Sequence, residues 1–175
     1  MLSRGEKDML FMANMAVGNA LWLRNFYDDL EMSQTKRDFS LIKTNLIKAV
    51  TKIAQRAGSK KKIERLFENF KYKSDNRVNS FSLTFTMDED AECHKYFSRY
   101  AIIYMTTRDL LNYYEVENPD KADNETVGWI KTADTIIGRV FKEHALDADL
   151  NWEAIKHVMN NKTDKYEFEG RVILL

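Results

Sequence analysis

A single proline, Pro119, stands in this chain of 175 residues, and only six glycines accompany it. So few breakers leave long stretches in which helices can propagate, and they argue against a turn-rich all-β fold. Apolar residues recur at three- and four-residue intervals over much of that length, which is the period of an α-helix. The sequence is therefore read as mainly α with a small antiparallel β-sheet, an α+β domain of five or six helices around one core. One domain over residues 1–175 suits the length. An apolar share of 44% and a charged share of 31% are ordinary for a folded soluble protein.

The first helix is expected from Arg4 to Leu30, with Ser3 and Glu6 at capping-box spacing. Its apolar positions, from Met9 and Leu10 through Ala13, Val17, Ala20 and Leu23, cover more than half the circumference. That pattern belongs to a helix central in its domain or covered by a partner. The second helix is expected from Thr35 to Ala57, closed by Gly58. Phe39, Ile42, Leu46, Val50, Ile53 and Ala57 form its inward stripe, and Arg37, Lys48 and Lys52 lie opposite. Ser59 then caps a short helix that carries Lys60, Lys61, Lys62 and Arg65 outward.

The period changes to two at Phe81, Leu83, Phe85 and Met87, which predicts a half-buried strand. A short strand at 71–73 pairs with it through Ser74-Asp75-Asn76, and the tail from Lys165 to Leu175 supplies a terminal strand. A third long helix begins near Thr86 and Glu89 and stops before Asn118-Pro119. A fourth runs from about Glu125 to Ala145, with Trp129, Ala133, Ile136, Ile137, Val140 and Phe141 inward. Asn151 caps a last short helix holding Ile155, Val158 and Met159.

The formal net charge is zero, but it is unevenly spread. Thirteen Lys and Arg face four acids between Lys36 and Arg77, while ten acids face four bases between residues 88 and 125. Such asymmetry points to an anionic partner, to self-association, or to pairing of the two segments inside the fold. Arg37, Lys48, Lys52, Lys60, Lys61, Lys62 and Arg65 are the candidate phosphate contacts if the partner is nucleic acid. A dedicated nucleic-acid binder usually carries a basic excess over the whole domain, which this chain lacks.

Tyr96, Tyr100 and Tyr104 recur at i, i+4 and i+8 beside Lys95, Arg99 and Arg108. Such a stripe can stack bases, or lie half-buried against a neighbouring helix. Cys93-His94 is the one adjacent pair of soft ligands, and the three histidines, His94, His144 and His157, lack zinc-site spacing. The sequence implies neither a metal nor a cofactor. One cysteine forms no internal disulfide, which suits a reducing, cytoplasmic setting. Met1 to Asp8 is charged and lacks a signal-peptide pattern, and no apolar run reaches transmembrane length.

Arg139 and His144 enclose Val140, Phe141, Lys142 and Glu143. This spacing resembles the Arg-x4-6-His pattern of the helical HEPN ribonucleases. The resemblance implies that the His and Arg of two protomers meet at a dimer interface. There the imidazole moves a proton during transphosphorylation from a 2′-hydroxyl, and the guanidinium steadies the phosphate. The match spans six residues, and Val140 stands where the family has a polar residue. The plainer reading makes His144 an ordinary residue near a helix C-terminus, where positive charge is favoured.

The expected function is binding rather than catalysis: a small intracellular interaction or regulatory protein that engages a protein partner and forms a homo-oligomer. Nucleic-acid binding through residues 36–77 is the alternative, and an RNA-cleaving enzyme using Arg139 and His144 is the third. The wealth of Lys, Asn, Met and aromatics is similar in composition to accessory proteins of large bacteriophages.

Overall fold

The structure is a computed structural model that describes residues 4–55, 94–147, 152–153, 155–156, 165–168 and 171–174. Four helices pack together: α1 (Arg4–Asp29), α2 (Ser33–Gln55), α3 (His94–Asn112) and α4 (Asn124–Asp147). Their principal contacts close a circuit in which α1 touches α2 and α3, and α4 touches α2 and α3. Each helix thus has two neighbours to receive its apolar stripe.

This all-α body corrects the expected α+β class. Strands β1 (Lys165–Phe168) and β2 (Arg171–Leu174) pair antiparallel with one another, Lys165 opposite Leu174 and Phe168 opposite Arg171. They form a two-stranded ribbon, and among the described residues no strand enters the packed body. The physical reason among the described residues lies in the circuit, since each helix buries its apolar stripe against two other helices rather than against a sheet. The strands expected at 71–73 and 81–87 lie outside the described residues. So do the Ser3, Gly58, Ser59 and Asn151 caps, the Thr86 and Glu89 capping box, and the short basic helix. Of the last expected helix, residues 152–153 and 155–156 are described, and Trp152 and Ile155 are buried.

In α1, Ala13, Ala16 and Ala20 are fully buried, and with no side chain beyond Cβ they let neighbouring backbones approach closely. Leu10, Val17, Leu23 and Tyr27 continue the same buried side. The helix ends in a Schellman turn. The Met32 N–H donates to the Tyr27 carbonyl at 2.9 Å, and the Glu31 N–H donates to the Asp28 carbonyl at 3.0 Å. Glu31 holds the left-handed position at φ 57°, where glycine is usual. This tight reversal folds α2 back along α1.

The inward stripe of α2 is Phe39, Ile42, Leu46, Ala49, Val50 and Ile53, each nearly or fully buried. Residues 38, 42, 46, 49 and 53 follow the i, i+4, i+7 path of one helix face, so Asp38 shares that side and is buried too. α3 runs on into a π-helical turn, Tyr113–Glu117, in which the Asn118 N–H donates to the Tyr113 carbonyl at 2.7 Å. The wider turn keeps Tyr113 and Tyr114 buried and leaves Val116 72% exposed. Pro119 then ends the helix. Asp123 caps α4, its Oδ1 accepting the Thr126 N–H at 2.7 Å.

An aromatic cluster drawn from all four helices occupies the centre. Tyr27 of α1 stacks on Phe39 of α2 at 5.6 Å, and Tyr100 of α3 lies 5.5 Å from Phe39 and 5.3 Å from Phe141 of α4. The Tyr27 and Tyr100 hydroxyls are hydrogen-bonded to each other. Each ring buries a large apolar area, and the paired hydroxyls satisfy what burial would otherwise leave dry. No helix among the described residues is long and apolar enough to cross a membrane.

Candidate functional site

Arg139 and His144 both sit on α4, five residues apart, and the structure gives each a partner within the chain. Arg139 Nη2 donates to Asp38 Oδ1 at 2.7 Å, and its Nη1 lies 3.4 Å from Glu143 Oε1. The Asp38 carboxylate raises the guanidinium above its ordinary range. Asp38 also receives a longer hydrogen bond from Gln34 Nε2, 3.4 Å away. The guanidinium is nonetheless half open to water.

His144 is partly buried against the central cluster. Its ring centroid lies 5.3 Å from that of Tyr27 and 5.6 Å from that of Tyr100. Burial pushes the imidazole below its ordinary value, against the opposing charges of Asp147 and Glu143. The helix-end reading expected a favoured positive charge here, and the surrounding rings favour the neutral form instead. In one chain, then, guanidinium and imidazole are turned to different partners: Arg139 to α2, His144 to the tyrosines of α1 and α3.

The basic candidates separate in the same way. Arg37 and Lys48 are exposed on the outward side of α2. Lys52 is tied to the start of α4, its Nζ 2.8 Å from Asp123 Oδ2 and 2.7 Å from Glu125 Oε2. These carboxylates raise the ammonium, and Lys52 in turn holds Asp123 far below the usual carboxylate range. The Lys52 ammonium also lies 5.5 Å from the Trp129 ring centre, with that of Lys48 at 5.9 Å. So the basic 36–77 segment and the acidic 88–125 segment meet inside the fold at Lys52. Lys60, Lys61, Lys62 and Arg65 lie outside the described residues.

Two members of the tyrosine stripe of α3, Tyr100 and Tyr104, face inward. Tyr100 and Tyr104 are buried, which removes them from any base-stacking surface. Arg108 lies 3.1 Å from Asp134 of α4, and Arg99 sits 3.8 Å over the Trp22 ring while donating to Asn19 Oδ1. The side chains of Lys95, Tyr96 and His94 lie outside the description, as do Cys93 and His157. Among the described residues no group of His, Cys, Asp and Glu could hold a metal ion.

Sequence reasoning missed the burial of three carboxylates, those of Glu6, Asp38 and Asp134. Asp134 Oδ1 lies 2.9 Å from Thr107 Oγ1, and its burial raises the carboxyl despite the Arg108 charge. The available signal was helical phase: Asp38 stands four residues before Ile42, and Asp134 three before Ile137 and one after Ala133. It missed as well that Leu41 and Val116 stand in water, 50% and 72% exposed. Comparison with protein-family models, with curated proteins and with solved structures gives no match for this chain.

Proposed function

We propose that this chain acts by binding, as a small interaction or regulatory protein that engages a partner through the outward side of α2 and associates with itself. The observation that carries the reading is the stripe Arg37, Leu41, Thr44 and Lys48. These four positions follow i, i+4, i+7 and i+11, the spacing of one helix face, and all four are exposed. A large apolar side chain between two cations can give up water on contact while its rim selects a carboxylate-bearing surface. Sedimentation velocity at low and at high salt tests it. A larger species at low salt that shrinks as salt rises supports the reading, because exposed charge contacts are screened beyond about 8 Å at physiological ionic strength. A monomer at every concentration and salt, with no partner effect from Leu41→Ser, removes it.

Nucleic-acid binding is the second reading, favoured by the exposure of Arg37 and Lys48. Its test is fluorescence anisotropy with labelled single-stranded RNA and duplex DNA. Log affinity should fall linearly with log salt, by roughly 0.7–0.9 per phosphate contact. No binding at low salt ends it.

A further inference from the structure

Two exposed surfaces of this molecule are opposite in charge, and each carries an exposed apolar side chain. On α2, Leu41 lies one turn beyond Arg37 and about 10 Å short of Lys48, two turns further on. All three are exposed, Leu41 by half. On the turn that follows α3, Val116 is the most exposed large apolar side chain among the described residues, and Glu117 and Asp120 beside it are exposed. Glu115, on its other flank, is engaged 2.5 Å from Lys131. Glu117 Oε1 accepts from Asn112 Nδ2, a neutral amide donor, at 2.9 Å. The α2 surface is thus an apolar side chain between two cations, and the turn carries an apolar side chain followed by two carboxylates.

Among the described residues neither apolar group is buried, Leu41 being 50% and Val116 72% exposed. Lys52 links the two charge segments through Asp123 and Glu125, and those residues lie beyond both patches in sequence. A second copy can supply the complement that one copy withholds from itself. Resting on the self-association reading above, we infer that the Arg37–Leu41–Lys48 face of one copy docks on the Val116–Glu117–Asp120 turn of another. The contact sets Leu41 against Val116 and places each cation beside a carboxylate. The two patches differ, so the contact is head-to-tail. It closes into a ring if the rotation allows and otherwise continues as a filament.

Charge reversal tests this. R37E/K48E makes the α2 face acidic, and E117K/D120K makes the turn basic. Every changed side chain is exposed, and far-ultraviolet circular dichroism with thermal melting checks that each variant is folded. If R37E/K48E does not fold, Leu41→Ser replaces it as the variant that disables the α2 face. The wild-type chain and each variant are run by sedimentation velocity at low salt, alone and mixed. The expected result is a concentration-dependent larger species for wild type, the monomer for each variant alone, and recovery of the larger species when the two charge-reversed variants are mixed. Recovery follows because the acidic α2 face of one variant then meets the basic turn of the other. Wild-type association that neither reversal weakens overturns this interface and leaves self-association standing. A wild-type monomer throughout overturns both.

Discussion

Arg139 of α4 holds Asp38 of α2 at 2.7 Å, and the two side chains are unequally covered, 46% exposed for the arginine and 6% for the aspartate. The consequence is asymmetric. An uncovered guanidinium finds water when its partner is lost, whereas a covered carboxylate does not. Arg139→Ala should therefore destabilise the fold by about 1–3 kcal/mol, the cost of leaving a buried acceptor poorly satisfied. Asp38→Asn should soften that loss, because the neutral amide is cheaper to leave dry. Denaturant unfolding of both single variants and the double variant reads the coupling. Additive losses would show that the pair contributes nothing.

The same pair bears on RNA cleavage. A catalytic role requires Arg139 and His144 to converge with their counterparts from a second protomer, as the ribonuclease resemblance implies. Within the chain each is turned to a structural partner. Arg139→Ala and His144→Ala should lower unfolding midpoints without removing any RNA-cleaving activity of the purified protein. Robust cleavage that vanishes in both variants while stability holds would reverse this assignment.

Tyr27 and Tyr100 share a hydrogen bond between buried hydroxyls at the junction of α1 and α3. Tyr27→Phe takes one hydroxyl from that pair and should cost about 1–3 kcal/mol. The double change Tyr27→Phe with Tyr100→Phe should cost less than the two singles added together, because removing both partners leaves neither one seeking the other. Equal or greater loss in the double variant, measured by urea unfolding, would assign the hydroxyls to other partners.

The long helices were legible because their signals are local. Phe39, Ile42, Leu46, Val50 and Ile53 declare a buried stripe by spacing alone, and Pro119 marks the end of α3 without any knowledge of its neighbours. That the described body is helices alone was not legible. Alternation at Tyr166 and Phe168 suggests a strand, but the tail expected as one terminal strand is two short strands, Lys165–Phe168 and Arg171–Leu174, paired with each other. The partners of Arg139 and His144 were hidden for a related reason. Asp38 is 101 positions from Arg139, and local pattern carries no information about which helix faces which. The reversal after α1 was hidden as well, since Glu31 occupies a position that sequence normally marks with glycine.

That position supports a stabilising change. A left-handed conformation costs a side-chain-bearing residue roughly 1–2 kcal/mol, and glycine escapes most of it while giving up some unfolded-state entropy. Glu31→Gly should therefore raise stability by up to about 1 kcal/mol, and Glu31→Val should lower it because a β-branched residue resists that region most. Thermal unfolding of the two variants checks the order. Glu31→Val matching wild type would show that the turn relaxes to another conformation.

His144 makes the fold sensitive to mild acid. Its ring lies against Tyr27 and Tyr100, and burial holds the imidazole below its ordinary value although Asp147 and Glu143 act in the other direction. In the unfolded chain the same ring titrates near 6.5. Above that pH the ring is neutral in both states, and its contribution to stability is fully present. As pH falls through about 6.5, the unfolded chain takes up the proton first, and stability declines until the lower folded value is passed. His144→Phe keeps a flat ring against the tyrosines and removes the titration. Urea midpoints measured from about pH 8 down to about pH 5.5, above the range in which ordinary carboxylates titrate, should fall for wild type and fall less for His144→Phe. Parallel curves for the two proteins would show that protonation of His144 is not linked to folding.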